Sequence, residues 1–168
     1  MNILELFAPI RTFVFDIDGV MTDGLLLVTE TGDLLRTMNI RDGYATEQAI
    51  KKGYNVWVIS GGKQHAVCIR LNKLGVTEAH IDVADKKQLL LDLFAKYNAN
   101  PVHALYMGDD IPDYAVMQLC GLATCPNDAA PEIKSLSQYI SPFNGGRGCV
   151  RDVIEKVLKL NGDWDLPS

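Results

Sequence analysis

Two kinds of spacing alternate along the chain. Short apolar runs at 12–15, 55–59, 79–83, 103–107, 122–124 and 138–140 have the length of strands, and the longer ones look buried on both faces. Between them lie segments with helical spacing. Asp42 is placed to cap a helix running to Gly53, where glycine suits the stop. Residues 64–74 carry Val67, Leu71 and Leu74 on one face and end at Gly75. Asp85 begins a helix with the stripe Leu89, Leu90, Leu93 and Tyr97. Pro112 suits a first helical turn, with Gly121 as the stop. Val150, Val153, Ile154, Val157 and Leu158 define a last amphipathic helix. Runs at 25–29 and 34–39 flank Glu30-Thr31-Gly32-Asp33 and read as a hairpin. The tail from Trp164 to Ser168 reads as loosely held.

This order predicts an α/β fold: a doubly wound, Rossmann-like, mostly parallel sheet with a hairpin (about 24–40) inserted after the first strand. The 168 residues suit one domain, with a C-terminal segment from about 144 to 168. The insertion is too short to form a separate cap domain.

Composition narrows the function. The net charge is −5, with no basic arm or stripe, so nucleic-acid binding is not expected. No apolar run approaches the roughly 20 residues that span a bilayer. The first nine residues lack the basic and apolar regions of a signal peptide, and a cytoplasmic location is the expectation. Cys68, Cys120, Cys125 and Cys149 form no CxxC pair and read as reduced packing residues. His65, His80 and His103 do not complete a zinc set with them.

The chemistry lies in two acidic clusters, each at the end of an apolar run. Asp16-Ile17-Asp18-Gly19 follows the first strand, and Gly108-Asp109-Asp110-Ile111-Pro112-Asp113 follows a later one. Ligands in an open α/β sheet gather at the carboxyl ends of the strands. Five carboxylates converging there need a hard cation, and Mg²⁺ with a substrate phosphate suits them. Capping a helix takes one acid or two, so the third in the second cluster points to a cation. Ser60-Gly61-Gly62-Lys63 offers a hydroxyl and free N–H groups between a strand and a helix. Lys86, in a first helical turn, opposes the helix dipole unless it faces an anionic site.

Taken in order, these motifs resemble the haloacid dehalogenase superfamily of phosphatases. Residues 16–24 resemble its first motif, Ser60 its second, Lys86 its third and residues 108–113 its fourth. The hairpin, Arg41-Asp42-Gly43-Tyr44 and Gly145-Gly146-Arg147-Gly148 extend the resemblance to the 3-deoxy-D-manno-octulosonate 8-phosphate phosphatases, from about residue 10 to 160. That resemblance implies a capless Mg²⁺-dependent phosphomonoesterase of lipopolysaccharide precursor synthesis. It also implies a homotetramer whose hairpins associate and whose Gly-rich C-terminal segment covers a neighbour's site.

By the same resemblance, Asp16 is the nucleophile and Asp18 the acid, then the base. The metal falls to Asp16, the Asp18 carbonyl and Asp109, with Asp110 and Asp113 supporting it. Ser60 and the Gly61 N–H hold the phosphoryl group, and Lys86 neutralises it. The family's second motif commonly reads Thr-Gly-Arg, whereas Ser60-Gly61-Gly62 stands here. Lys63, Arg41, Arg70 and Arg147 are then the candidates to meet a substrate carboxylate. Phosphatases of nine-carbon acids also differ at this position, so a KDN or N-acylneuraminate 9-phosphate is the alternative substrate. A phospho-accepting receiver module uses a similar Asp, Ser/Thr and Lys set, but Asp18 favours turnover. A catalytically silent scaffold would have no reason to keep five clustered acids.

Overall fold

The computed structural model describes residues 2–168. The chain runs α1 (Ile3–Phe7), β1 (Thr12–Phe15), β2 (Leu27–Val28), β3 (Leu34–Leu35), α2 (Ile40–Lys51), β4 (Asn55–Ile59), α3 (His65–Lys73), β5 (Glu78–His80) and α4 (Lys86–Tyr97). It continues through β6 (Ala104–Met107), α5 (Tyr114–Met117), β7 (Leu122–Cys125), α6 (Pro131–Leu136), β8 (Tyr139–Ile140) and α7 (Cys149–Leu160). Six strands form one parallel sheet in the order β5-β4-β1-β6-β7-β8. This is a doubly wound sheet whose connections reverse beside β1, and a crevice opens there, between the carboxyl ends of β1 and β6.

The central strands are buried on both faces. Phe13 and Phe15 of β1 face a layer formed by α2, α3 and α7, whereas Val14 joins Trp57, Leu90 and Phe94 on the other side. Strand periodicity of two therefore sorts β1 between two cores. The α7 stripe Val150, Val153, Ile154, Val157 and Leu158 is fully buried. At about 2 kcal/mol per side chain, its gross burial contribution is on the order of 10 kcal/mol.

Several elements differ from their sequence reading. α2 starts earlier, because Asn39 is its cap: Asn39 Oδ1 accepts from the N–H groups of Arg41 (2.8 Å) and Asp42 (3.2 Å). Asp42 is instead buried in the first turn and caps α7, accepting from the Arg151 N–H at 2.9 Å. Gly148, which precedes α7, has no side chain for that task. The hairpin pairs over only two residues per strand, Leu27 opposite Leu35 and Val28 opposite Leu34. All four are exposed, since no layer packs on them to extend the pairing. β5 is displaced toward Glu78, and α1 and α6 were not evident as elements. The tail is anchored at its start, where Trp164 meets Tyr44 edge-to-face at 6.0 Å and the Arg151 guanidinium lies 5.2 Å from its ring, whereas the last residues, from Leu166 on, are exposed. No helix among the described residues is long and apolar enough to cross a membrane.

Candidate active site

β1 ends at Phe15, and the chain turns at once. Asp18 is extended (φ −71°, ψ 125°), Gly19 has φ +85°, and the Thr22 N–H closes the turn on the Ile17 carbonyl at 3.1 Å. Gly19 is required twice over. Its φ disfavours any other residue, and an added Cβ would fall 1.8 Å from Asp109 Oδ2. The first acidic loop is thus pressed directly against the second.

Lys86 joins the two clusters. Its Nζ donates to Asp16 Oδ1 at 3.0 Å and to Asp113 Oδ1 at 2.7 Å, with all three residues buried. Lys87, next in the helix, is exposed. Asp113 also accepts from the Tyr106 hydroxyl at 3.0 Å and the Asp109 N–H at 3.2 Å. Asp110 is exposed and accepts from the Ile111 N–H at 2.8 Å, as a cap.

Carboxylate oxygens of Asp16, Asp109 and Asp113 can lie within 4.8 Å of one another. One ammonium cannot neutralise this group. Burial, then repulsion from Asp113, pushes Asp16 up to about 7 despite Lys86. Burial, then Asp16 and Asp113, pushes Asp109 up to about 8. The hard oxygen donors and the uncompensated charge fit a divalent cation.

Asp18 has different surroundings. Its carboxylate accepts from Arg36 Nε at 2.7 Å and Nη2 at 3.1 Å, from Gln64 Nε2 at 2.6 Å and from Thr22 Oγ1 at 3.3 Å. Burial works to raise its pKa, but the bonds from Arg36 and Gln64 outweigh it and hold Asp18 below the usual carboxylate value. Ser60, at the end of β4, is buried, and the neighbouring Gly61 N–H has no partner among the described residues. Asp16, Asp18, Ser60, Gly61, Lys86 and Asp109 all line one open cavity of about 500 Å³.

This constellation can be set against known proteins. Residues 71–154 match the family model described as haloacid dehalogenase-like hydrolase. The 3-deoxy-D-manno-octulosonate 8-phosphate phosphatase of Yersinia pestis is 34% identical over 98% of this chain and 90% of its own. The chain belongs to the haloacid dehalogenase-like hydrolases. The same-named enzyme of Escherichia coli K12 is 35% identical over 93% of this chain and 83% of its own. A crystal structure of the Moraxella catarrhalis enzyme, described as a complex with magnesium ion, phosphate ion and KDO, matches with a TM-score of 0.90. It is 27% identical and covers 95% of this chain and 91% of that one.

In this hydrolase the four basic candidates do not converge on the acidic cavity. Arg41 and Arg147 share a groove of about 490 Å³ beside the start of α7. Arg147 lies 3.7 Å from Asp23. Lys63 and Arg70 line a second groove of about 730 Å³ along the hairpin. Lys63 is largely exposed and 3.9 Å from Asp82. The Gly-rich segment packs on its own chain: the Gly146 N–H donates to the Val20 carbonyl at 2.9 Å.

Arg36, Gln64 and Tyr106 were missed from the sequence. Arg36 sits in the hairpin with no motif around it, and Tyr106 looks like one more apolar strand residue. Gln64 carried a signal in hindsight, since it stands two residues after Gly62, whose missing side chain leaves room for its own.

Proposed function

We propose that this chain is a Mg²⁺-dependent phosphomonoester hydrolase that releases phosphate from 3-deoxy-D-manno-octulosonate 8-phosphate. The observation that carries this reading is the Lys86 bridge between Asp16 and Asp113, with Asp109 beside it at the sheet's switch point. Relatives bearing that activity in their names, matched over most of their length, support the substrate class.

Asp16 attacks phosphorus, and the bond to the sugar's terminal oxygen breaks as Asp18 gives that oxygen a proton. Asp18 then takes a proton from water, which attacks the aspartyl-phosphate and regenerates Asp16. Ser60 Oγ–H and the Gly61 N–H donate to the phosphoryl oxygens, and Lys86 offsets their charge while holding Asp16 in place. Asp16, the Asp18 carbonyl and Asp109 would hold Mg²⁺, with Asp110 and Asp113 in support. The ion, when bound, neutralises charge on the nucleophile and the phosphoryl group.

The activity would belong to a homotetramer in the cytoplasm, feeding lipopolysaccharide precursor synthesis. Leu25, Leu27, Val28 and Ile40 are more than 60% exposed and give the hairpin region an apolar surface suited to self-association. Arg41 and Arg147 of one subunit would then serve a neighbour's cavity. A nine-carbon acid 9-phosphate remains the second reading, favoured by Gly62 where an arginine is common.

Asp16→Asn tests the assignment. Phosphate release should fall by at least about a thousandfold while the melting temperature holds or rises, because repulsion among the acids is relieved. Near-normal turnover would exclude Asp16 as the nucleophile.

A further inference from the structure

Gln64 immediately precedes α3 and is buried, yet its side chain does not serve that helix. It folds back past Gly62 toward Asp18 and Ser60, two residues that line the acidic cavity. Its Nε2 lies 2.6 Å from Asp18 Oδ2 and 3.0 Å from Ser60 Oγ. A carboxamide nitrogen carries two protons, and here there is one acceptor for each. One side chain therefore bonds both the group that would handle the leaving-group proton and the hydroxyl that would meet the phosphoryl group.

The effect on Ser60 is directional. Its oxygen accepts from Gln64 Nε2 and also from the Gly62 N–H, at 3.3 Å. With both acceptor positions used, its own proton has only a long contact to Gln64 Oε1 at 3.3 Å. A phosphoryl oxygen would readily replace that contact. The hydroxyl is thus held by its neighbours before substrate arrives, with one weak contact to exchange, whereas a free rotor would have to be ordered on binding.

Position 62 decides whether this arrangement exists. An ideal Cβ on Gly62 would lie 2.4 Å from Gln64 Nε2 and 2.7 Å from its Cδ. Any side chain there would push the carboxamide out. The absent side chain at 62 and the inward glutamine are one device.

We propose that Gln64 is a positioning residue that fixes Asp18 and Ser60 relative to each other, and that Gly62 is what admits it. This rests on the phosphatase reading above. Gln64 acts through its two partners, so its loss should lower kcat more than it alters KM.

The test is steady-state hydrolysis of p-nitrophenyl phosphate with Mg²⁺ by the full chain and four variants: Gln64→Ala, Gln64→Met, Gly62→Ala and the double Gly62→Ala/Gln64→Ala. Gln64→Met keeps the buried bulk but offers no donor. It should lose about tenfold or more in kcat with KM within about twofold, as should Gln64→Ala. Gly62→Ala should reproduce that loss, and the double variant should be no worse than either single one. If Gln64→Met keeps wild-type kcat, the side chain only fills space and the proposal is overturned. If the Gly62 and Gln64 effects multiply, the two positions are independent and the link between them is overturned. An unmodified chain with no Mg²⁺-dependent phosphate release from p-nitrophenyl phosphate or from 3-deoxy-D-manno-octulosonate 8-phosphate would overturn the phosphatase reading itself, and this inference with it.

Discussion

Arg36 grips Asp18 at two points, Nε to Oδ1 at 2.7 Å and Nη2 to Oδ2 at 3.1 Å. A hairpin residue with no motif around it is thus the strongest cationic partner of the proposed acid–base. The pair has both bonds of a forked guanidinium–carboxylate contact, which lysine cannot reproduce. It favours the ionised form, yet the first step asks Asp18 for a proton.

Replacing Arg36 should therefore shift the pH profile. Removing the two bonds lets burial raise the Asp18 pKa, so its protonated form persists to higher pH. In Arg36→Met the alkaline limb of kcat should move upward, measured with a simple phosphomonoester across pH 5 to about 9. An unmoved alkaline limb would show that Asp18 is not the group titrating there.

Most of the sheet was legible because its strands are short, apolar and buried on both sides. Thr12–Phe15 and Asn55–Ile59 fall where their runs predict. Lys86 was legible from a different conflict: a cation in a first helical turn needs an anion, and Asp16 and Asp113 provide two. What could not be read were contacts made across the fold. Asp42 has the local look of a helix cap, and it is one, but for a helix more than a hundred residues later. Trp164 looks like part of a loose tail until Tyr44 and Arg151 are brought beside it. Arg36 and Gln64 reach Asp18 only because the hairpin and the β4–α3 turn meet over the end of β1.

Metal and pH should be linked. Folding raises Asp16 to about 7 and Asp109 to about 8, both from 3.8. Raised carboxyl pKa values mean the unfolded chain ionises more easily. On their account the metal-free protein loses stability as pH rises from about 4 to 8, with the cluster titrating as a unit. Mg²⁺ relieves this charge once the protons are gone, so its gain in melting temperature should be larger at pH 8 than at pH 6. Equal gains at both pH values, or none, would argue against a cation among these acids.

Asp42 gives an independent pH effect, away from the cavity. Burial raises it to about 6, against a bond from the Arg151 N–H, and its Oδ2 has no hydrogen-bond partner. Below about pH 4 the group is protonated in both states and contributes nothing. Between about 4 and 6 its ionisation begins to oppose folding, by on the order of 2–3 kcal/mol at pH 7. Asp42→Asn keeps an acceptor for α7 and removes the charge. Its stability relative to the unmodified chain, from urea unfolding, should therefore improve between pH 4 and pH 7. A difference that does not change with pH would contradict the buried charge.

The central claim is tested most directly by comparing kcat/KM for Mg²⁺-dependent phosphate release from three substrates. These are 3-deoxy-D-manno-octulosonate 8-phosphate, a nine-carbon acid 9-phosphate and a simple sugar phosphate. A preference of about a hundredfold for the eight-carbon acid, roughly 2.7 kcal/mol of transition-state discrimination, is the predicted result. A comparable preference for the nine-carbon acid would contradict the proposed substrate while leaving the chemistry intact. No metal-dependent release from any of the three would contradict the phosphatase itself.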